Sequence, residues 1–194
     1  MSAMSANRSK IENVVVLVAM EAEAKPFIDH LALAPFKLVT PNLPCVAFQG
    51  THKGCVVTVV TNGQCARYAV DNVGTTPAAL AAFGVINELK PDLLINAGTA
   101  GGFKSADAHI GDAFISTHMR HHDRRIMIPG TQFEEYGRGN HAAQECPKLT
   151  RALSLKCGVV TTSNSLDHHE TDLRIMKENS KLLLLLKVSI ISAV

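Results

Sequence analysis

The chain has 194 residues, 46% of them apolar, and a formal net charge of +2. That length and apolar share support one domain with a buried core and exclude a disordered protein. The small net charge gives no electrostatic case for nucleic acid, and no segment is long enough to span a bilayer.

Residues 1–10 are small and polar and predict a disordered tail. The apolar run that follows is too short for a signal peptide and ends in acids. Five cysteines (Cys45, Cys55, Cys65, Cys146 and Cys157) form no C-x-x-C pair; an odd number without a secretion signal fits reduced thiols in a cytoplasmic protein. Residues Val14 to Met20 are short and rich in β-branched side chains, which predicts a buried parallel strand. The strand breaks into Glu21-Ala22-Glu23-Ala24, so carboxylates stand at a strand's carboxyl end, where open α/β sheets bind ligands. Both glutamates also suit the first turn of a helix, expected from Ala24 to Leu31 with Pro26 in that turn.

A proline-marked loop (Pro35, Pro41, Pro44) is expected next, then strands near Cys45–Gln49 and Cys55–Thr61 joined at Lys53-Gly54 and closed by Asn62-Gly63. Helical pattern runs from about Ala66 to Leu89, with a kink at Gly74-Thr75-Thr76-Pro77, where Thr76 can cap and Pro77 can open a helix. Its alanine-rich surface suits close packing on a sheet or on a second subunit. Leu93 to Ala97 then reads as a buried strand opening at Pro91-Asp92. It ends in Gly98-Thr99-Ala100-Gly101-Gly102, where small side chains let a ligand approach the backbone and Thr99 adds a hydroxyl.

Further strands are expected near Asp112–Met119 and Val159–Thr162, with a polar loop over residues 120–145 and a short helix at Pro147–Ser154 between them. The turn Ser163-Asn164-Ser165-Leu166-Asp167 leads to a helix near Glu170–Asn179. Alternating strands and helices predict a single α/β sandwich over residues 11–180. His118, His121, His122 and Asp123 have a helical spacing but lie where a strand enters a loop, which favours a solvated loop over a metal site. The Gly98–Gly102 turn lacks the G-x-G-x-x-G spacing of a dinucleotide site. No metal or other cofactor is implied.

Four motifs together resemble the 5′-methylthioadenosine nucleosidases, the plant form in particular, within the purine nucleoside phosphorylase superfamily. They are Val18-Ala19-Met20-Glu21-Ala22-Glu23, the stretch from Ile95 to Phe103, His122-Asp123-Arg124-Arg125-Ile126, and Ser165-Leu166-Asp167. The resemblance covers about residues 13 to 178. It implies a three-layer α/β sandwich with a central mixed sheet and an enzyme that hydrolyses the bond between adenine and ribose. By resemblance, Glu23 matches the glutamate that activates water, with Met20 beside it. Thr99, Ala100 and Gly101 lie near the sugar and the water. Leu166 packs on a base face, and backbone groups near Asp167 read the adenine edge. The resemblance also implies a homodimer in which Ile126 to Pro129 reach a neighbouring subunit's site. The residues themselves favour water over phosphate as the attacking group, because Glu21 and Glu23 repel an anion.

The chain departs from that family after residue 180. No Met-Glu pair follows residue 170, whereas the family has one that grips the ribose hydroxyls. The apolar run over residues 181–194 stands where the family has a strand ending in a catalytic aspartate, then a last helix. Ser163-Asn164 replaces the usual Gly-Asp. The expectation is therefore a sandwich lacking its last helix, with weak turnover and an exposed, aggregation-prone apolar tail. The alternative is a non-catalytic form that binds an adenine nucleoside or pairs with a complete copy.

Overall fold

The computed structural model describes residues 10–104, 107–167, 169–179 and 184–187. The first sheet is built on β1 (Asn13–Val18), which lies between β4 (Cys55–Thr61) and β5 (Leu93–Ala97), parallel to both. The hairpin partner β3 (Val46–His52) and the edge strand β2 (Ala34–Phe36) run antiparallel, giving the order β2-β3-β4-β1-β5. The pleat sorts β1 cleanly. Val15 and Leu17 pack with Ala81, Ala82 and Val85 of α2 (Thr75–Leu89), while Val16 and Val18 pack with Ala24 of α1 (Glu21–Leu31). Helices on both faces make the three layers that the resemblance implies. The alanine-rich stripe of α2 lies on the sheet, as its small side chains allow.

The second sheet is also mixed, in the order β6-β10-β9-β7-β8. Its centre is β9 (Lys156–Thr162), parallel to β7 (Phe114–His121) on one side and to β10 (Leu184–Lys187) on the other. The two-residue strands β6 (Gly101–Gly102) and β8 (His141–Ala142) close the edges antiparallel. The small-residue turn after β5 thus carries the chain from one sheet to the other.

Several elements differ from expectation, each for a local reason. Helix α1 begins at Glu21, not Ala24, because the Met20 carbonyl already accepts from the Glu23 and Ala24 N–H groups; Pro26 therefore sits inside the helix and not in its first turn. Residues 66–73 are not helical. The side chains of Asn62 and Asn72 each donate to the other's backbone carbonyl, and a Gln64–Asp71 bridge fixes the segment as a loop. Helix α2 opens at Thr75 after Gly74, with no cap from Thr76. Pro35 lies in β2, an edge strand, where a missing N–H is tolerated. The polar stretch 120–145 holds the end of β7, the short helix α3 (Phe133–Arg138) and β8. Helices α4 (Pro147–Ala152) and α5 (Glu170–Asn179) lie where the sequence predicts them. The backbone of Leu184–Lys187 is paired on both sides, by β9 and β6, so this part of the apolar tail is not an open edge. The expectations for residues 1–9, for 188–194 and for a missing last helix lie outside the described residues.

Candidate active site

Strand register brings the candidate residues to one end of the first sheet. Val18 of β1 pairs with Thr61 of β4 and Ala97 of β5, so the segments after all three strands leave from the same edge. Glu23 comes from the first turn of α1 and Thr99 from the turn after β5. They meet directly: Glu23 Oε1 accepts from the Thr99 N–H at 2.6 Å and from the Thr99 hydroxyl at 2.5 Å. These are charge-assisted bonds of the short, strong kind. Among the described residues, Oε2 of Glu23 takes no hydrogen bond. The carboxylate is therefore oriented through one oxygen and presents the other.

Around this pair, Met20 is 40% exposed beside the strand end. Ala100 and Gly101 are exposed in the turn and add little bulk. Glu21 points elsewhere and accepts from Gln64 Nε2 at 3.3 Å. Gly63, after β4, has φ +70°, and a Cβ there would lie 1.8 Å from the Pro44 carbonyl oxygen, so only glycine fits that turn.

The loop after β9 is held from outside itself. Asn164 Oδ1 accepts from the Thr75 N–H and hydroxyl, each at 2.8 Å, and so caps α2 from a distance. The Asn164 N–H donates to Asp123 Oδ2 at 2.9 Å. These bonds draw the carboxyl ends of the two sheets to one side of the molecule. Leu166 is 83% exposed and Asp167 is exposed. Among the described residues no hydrogen bond joins this loop to Glu23 or Thr99.

Sequence reasoning missed the supports beneath this loop. His122 is buried, with Nδ1 at 3.0 Å from Thr161 Oγ1. Asp172, in the first turn of α5, is buried against the Arg125 guanidinium and accepts from the His169 N–H at 2.9 Å. Burial pushes the Asp172 carboxyl up, but the His169 N–H, Arg125 and His122 together outweigh it and hold it below the usual carboxylate range. A carboxylate so engaged is a structural anchor. The signal lay in Asp123-Arg124-Arg125, charged residues clustered at a strand end. His118 lies within β7 while His122 is buried on Thr161, so the four residues with helical spacing are divided between two settings. Among the described residues no three His, Cys, Asp or Glu side chains gather around a metal-sized space.

Two mixed sheets flanked by helices, with a carboxylate and a small-residue turn at adjoining strand ends, define an α/β fold of the nucleoside phosphorylase type. Residues 13–179 match the sequence profile of the Phosphorylase superfamily, and the chain belongs to that superfamily. It is 43% identical over 164 residues to a 5′-methylthioadenosine nucleosidase of Arabidopsis thaliana, a match covering 84% of this chain and 61% of that protein. A 5′-methylthioadenosine/S-adenosylhomocysteine nucleosidase of the same plant is 38% identical over 160 residues, or 81% of this chain and 62% of that one. The apo structure of the Arabidopsis 5′-methylthioadenosine nucleosidase superposes with a TM-score of 0.84 at 41% identity, covering 90% of this chain and 71% of that chain. The chain thus spans about three fifths of the length of the curated relatives it matches (61% and 62%).

Proposed function

We propose that this chain is a nucleosidase-type protein for 5′-methylthioadenosine, built to release adenine and 5-methylthioribose. The observation that carries the reading is the Glu23–Thr99 pair. A glutamate oriented through one oxygen can take a proton from water with the other while the water oxygen bonds to the anomeric carbon. The carbon–nitrogen bond breaks as the water oxygen arrives, its electrons pass to adenine, and a proton must reach the leaving base. Met20, Ala100 and Gly101 form the sugar side of the pocket, and Leu166 with the backbone at Asp167 forms the base side. The names of the Arabidopsis relatives support the substrate class.

A second reading follows from one observation: residues 180–194 contain no Asp or Glu, and no Met-Glu follows residue 170. A group that protonates the leaving base is worth roughly 10²–10⁴ in rate. If no other group supplies that proton, these 194 residues turn over weakly or serve as a non-catalytic binder of an adenine nucleoside. Adenine release from 5′-methylthioadenosine by the 194-residue chain, with Glu23→Gln beside it, decides between the two. Turnover that the variant loses supports the enzyme. Saturable adenine binding without turnover supports the binder, and neither binding nor turnover overturns both.

The same reading includes a homodimer and a cytoplasmic setting. Leu80 and Phe83 stand 54% and 71% exposed on the outer face of α2, which supports pairing through that helix. All five cysteines are free thiols, which supports a reducing compartment. Sedimentation of the chain and of Phe83→Lys tests the dimer.

A further inference from the structure

The turn after β5 and the loop after β9 share no hydrogen bond among the described residues, yet one strand touches the segments that carry both. In the second sheet β10 stands between β6 and β9. Leu186 lies opposite Gly101 of β6 on one side and opposite Thr161 of β9 on the other. Leu185 lies opposite Gly102 and Val160 in the same way. Gly101 is two residues past Thr99, and Thr161 is two residues before Ser163, where the loop with Leu166 and Asp167 begins. The backbone of two leucines thus joins the sugar side of the site to its base side.

The sugar side depends on this pairing. Strand β6 is the edge of its sheet, so β10 is its partner in the ladder. Glycine loses more backbone freedom on ordering than any other residue, and here two stand in a row. Glu23 holds Thr99, but among the described residues it makes no bond to Gly101 or Gly102. Nor is a side chain available to anchor that end of the turn: a Cβ on Gly102 would lie 2.6 Å from the Ala108 Cβ. The ladder with β10 is what gives the two glycines their place. Neighbouring strands lie about 4.8 Å apart, so one intervening strand sets the Gly101 and Thr161 backbones about 10 Å apart. A ladder keeps that interval or breaks; it does not stretch. A ligand in two parts gains from an interval fixed before it arrives, because binding then orders less of the protein.

We propose that β10 is a positioning strand, whose backbone holds the sugar-side turn at a fixed separation from the base-side loop. The two sides are named on the nucleosidase reading, and to that extent the proposal rests on it. Leu186→Pro removes an N–H from the middle of a sheet, whereas Leu186→Ala keeps the backbone bonds. In the free chain, Leu186→Pro is expected to speed amide exchange at Gly101 and Gly102 while the amides of β1 stay protected, and Leu186→Ala is expected to leave both slow. Affinity for 5′-methylthioadenosine, which reaches both sides, is expected to fall about tenfold in Leu186→Pro, and affinity for adenine, which reaches the base side alone, by less than about threefold. A proline variant that weakens both ligands equally, or that keeps the glycine amides protected, overturns the proposal. A wild-type chain that binds neither ligand overturns the nucleosidase reading instead, and exchange in the free chain still decides the role of β10. If the proline variant does not fold, the wild-type chain decides in rising sub-denaturing urea. The glycine amides are then expected to open together with those of residues 184–187, and glycine amides that stay protected after 184–187 have opened overturn the proposal.

Discussion

At the carboxyl end of the first sheet, Glu23 and the turn after β5 leave neighbouring parallel strands and bond to each other directly. At the same end of the second sheet, the turn after β9 is positioned by groups remote in sequence: Thr75 and Asp123 on Asn164, and Arg125 on Asp172 below it. Two adjacent strand ends suffice to orient a carboxylate. The loop after β9 takes its tethers from several elements, so losing any one of them leaves the others in place. The first end should therefore fail sharply when its backbone is disturbed, and the second should fail gradually.

The largest effect is expected at Gly63. Its φ of +70° and the 1.8 Å approach of a Cβ to the Pro44 carbonyl oxygen leave alanine no place without moving backbone. Gly63→Ala should cost about 3–5 kcal/mol in urea unfolding. A cost below about 1 kcal/mol would show that the first sheet's end yields as easily as the second's.

Next comes Asp172. Removing it leaves Arg125 without its partner and the His169 N–H without an acceptor. Asp172→Ala should lower stability by about 2–4 kcal/mol, less than a fully buried pair because Arg125 is 45% exposed. The wild-type carboxyl is held below its ordinary value, so its contribution is complete above the unfolded pKa of about 3.9 and is lost as pH falls through the lower, folded value. The Tm difference between wild type and Asp172→Ala should therefore be constant from pH 7 to pH 5 and shrink below about pH 4. A difference that grows in acid would contradict the assignment.

Thr99→Val sharpens the comparison at the other end. It keeps the N–H bond to Glu23 Oε1 and the shape of the side chain but removes the 2.5 Å hydroxyl bond. Tm should change little, because the turn is exposed. Adenine release should fall about tenfold, the worth of one ordinary hydrogen bond to a charged group. An unchanged rate would mean that the backbone N–H alone orients the glutamate.

This asymmetry also governs what the sequence reveals. The motif from Val14 to Glu23 and the strand and turn from Leu93 to Gly102 declare themselves, because a β-branched run followed by acids or glycines is a local pattern, and parallel pairing then brings the two ends together. The role of Asn164 is hidden, since nothing near it names Thr75 as its partner 89 residues away. The helical pattern from Ala66 to Val73 misleads for the same reason: the clamp between Asn62 and Asn72 is a tertiary constraint that overrides local propensity. The short α3 escapes notice because Gly137 reads as a loop residue, whereas here it is the point where helix and loop touch.

The smallest effect, and the most discriminating, is expected at Asn164. Its side-chain oxygen caps α2, and its N–H is held by Asp123. Asn164→Ala removes the cap and keeps the N–H bond, so it should cost about 1 kcal/mol of stability. If the tether also sets the base-side loop, adenine binding measured by calorimetry should weaken several-fold more than stability alone explains. Asn164→Asp keeps an acceptor at the same place and suits a helix N-terminus electrostatically. It should restore both properties, apart from a small penalty for a second carboxylate near Asp123. Rescue of stability without rescue of binding would separate the two jobs. Asn164 would then hold up the helix only, and the base-side loop would owe its position to Asp123 and to the Arg125–Asp172 pair beneath it.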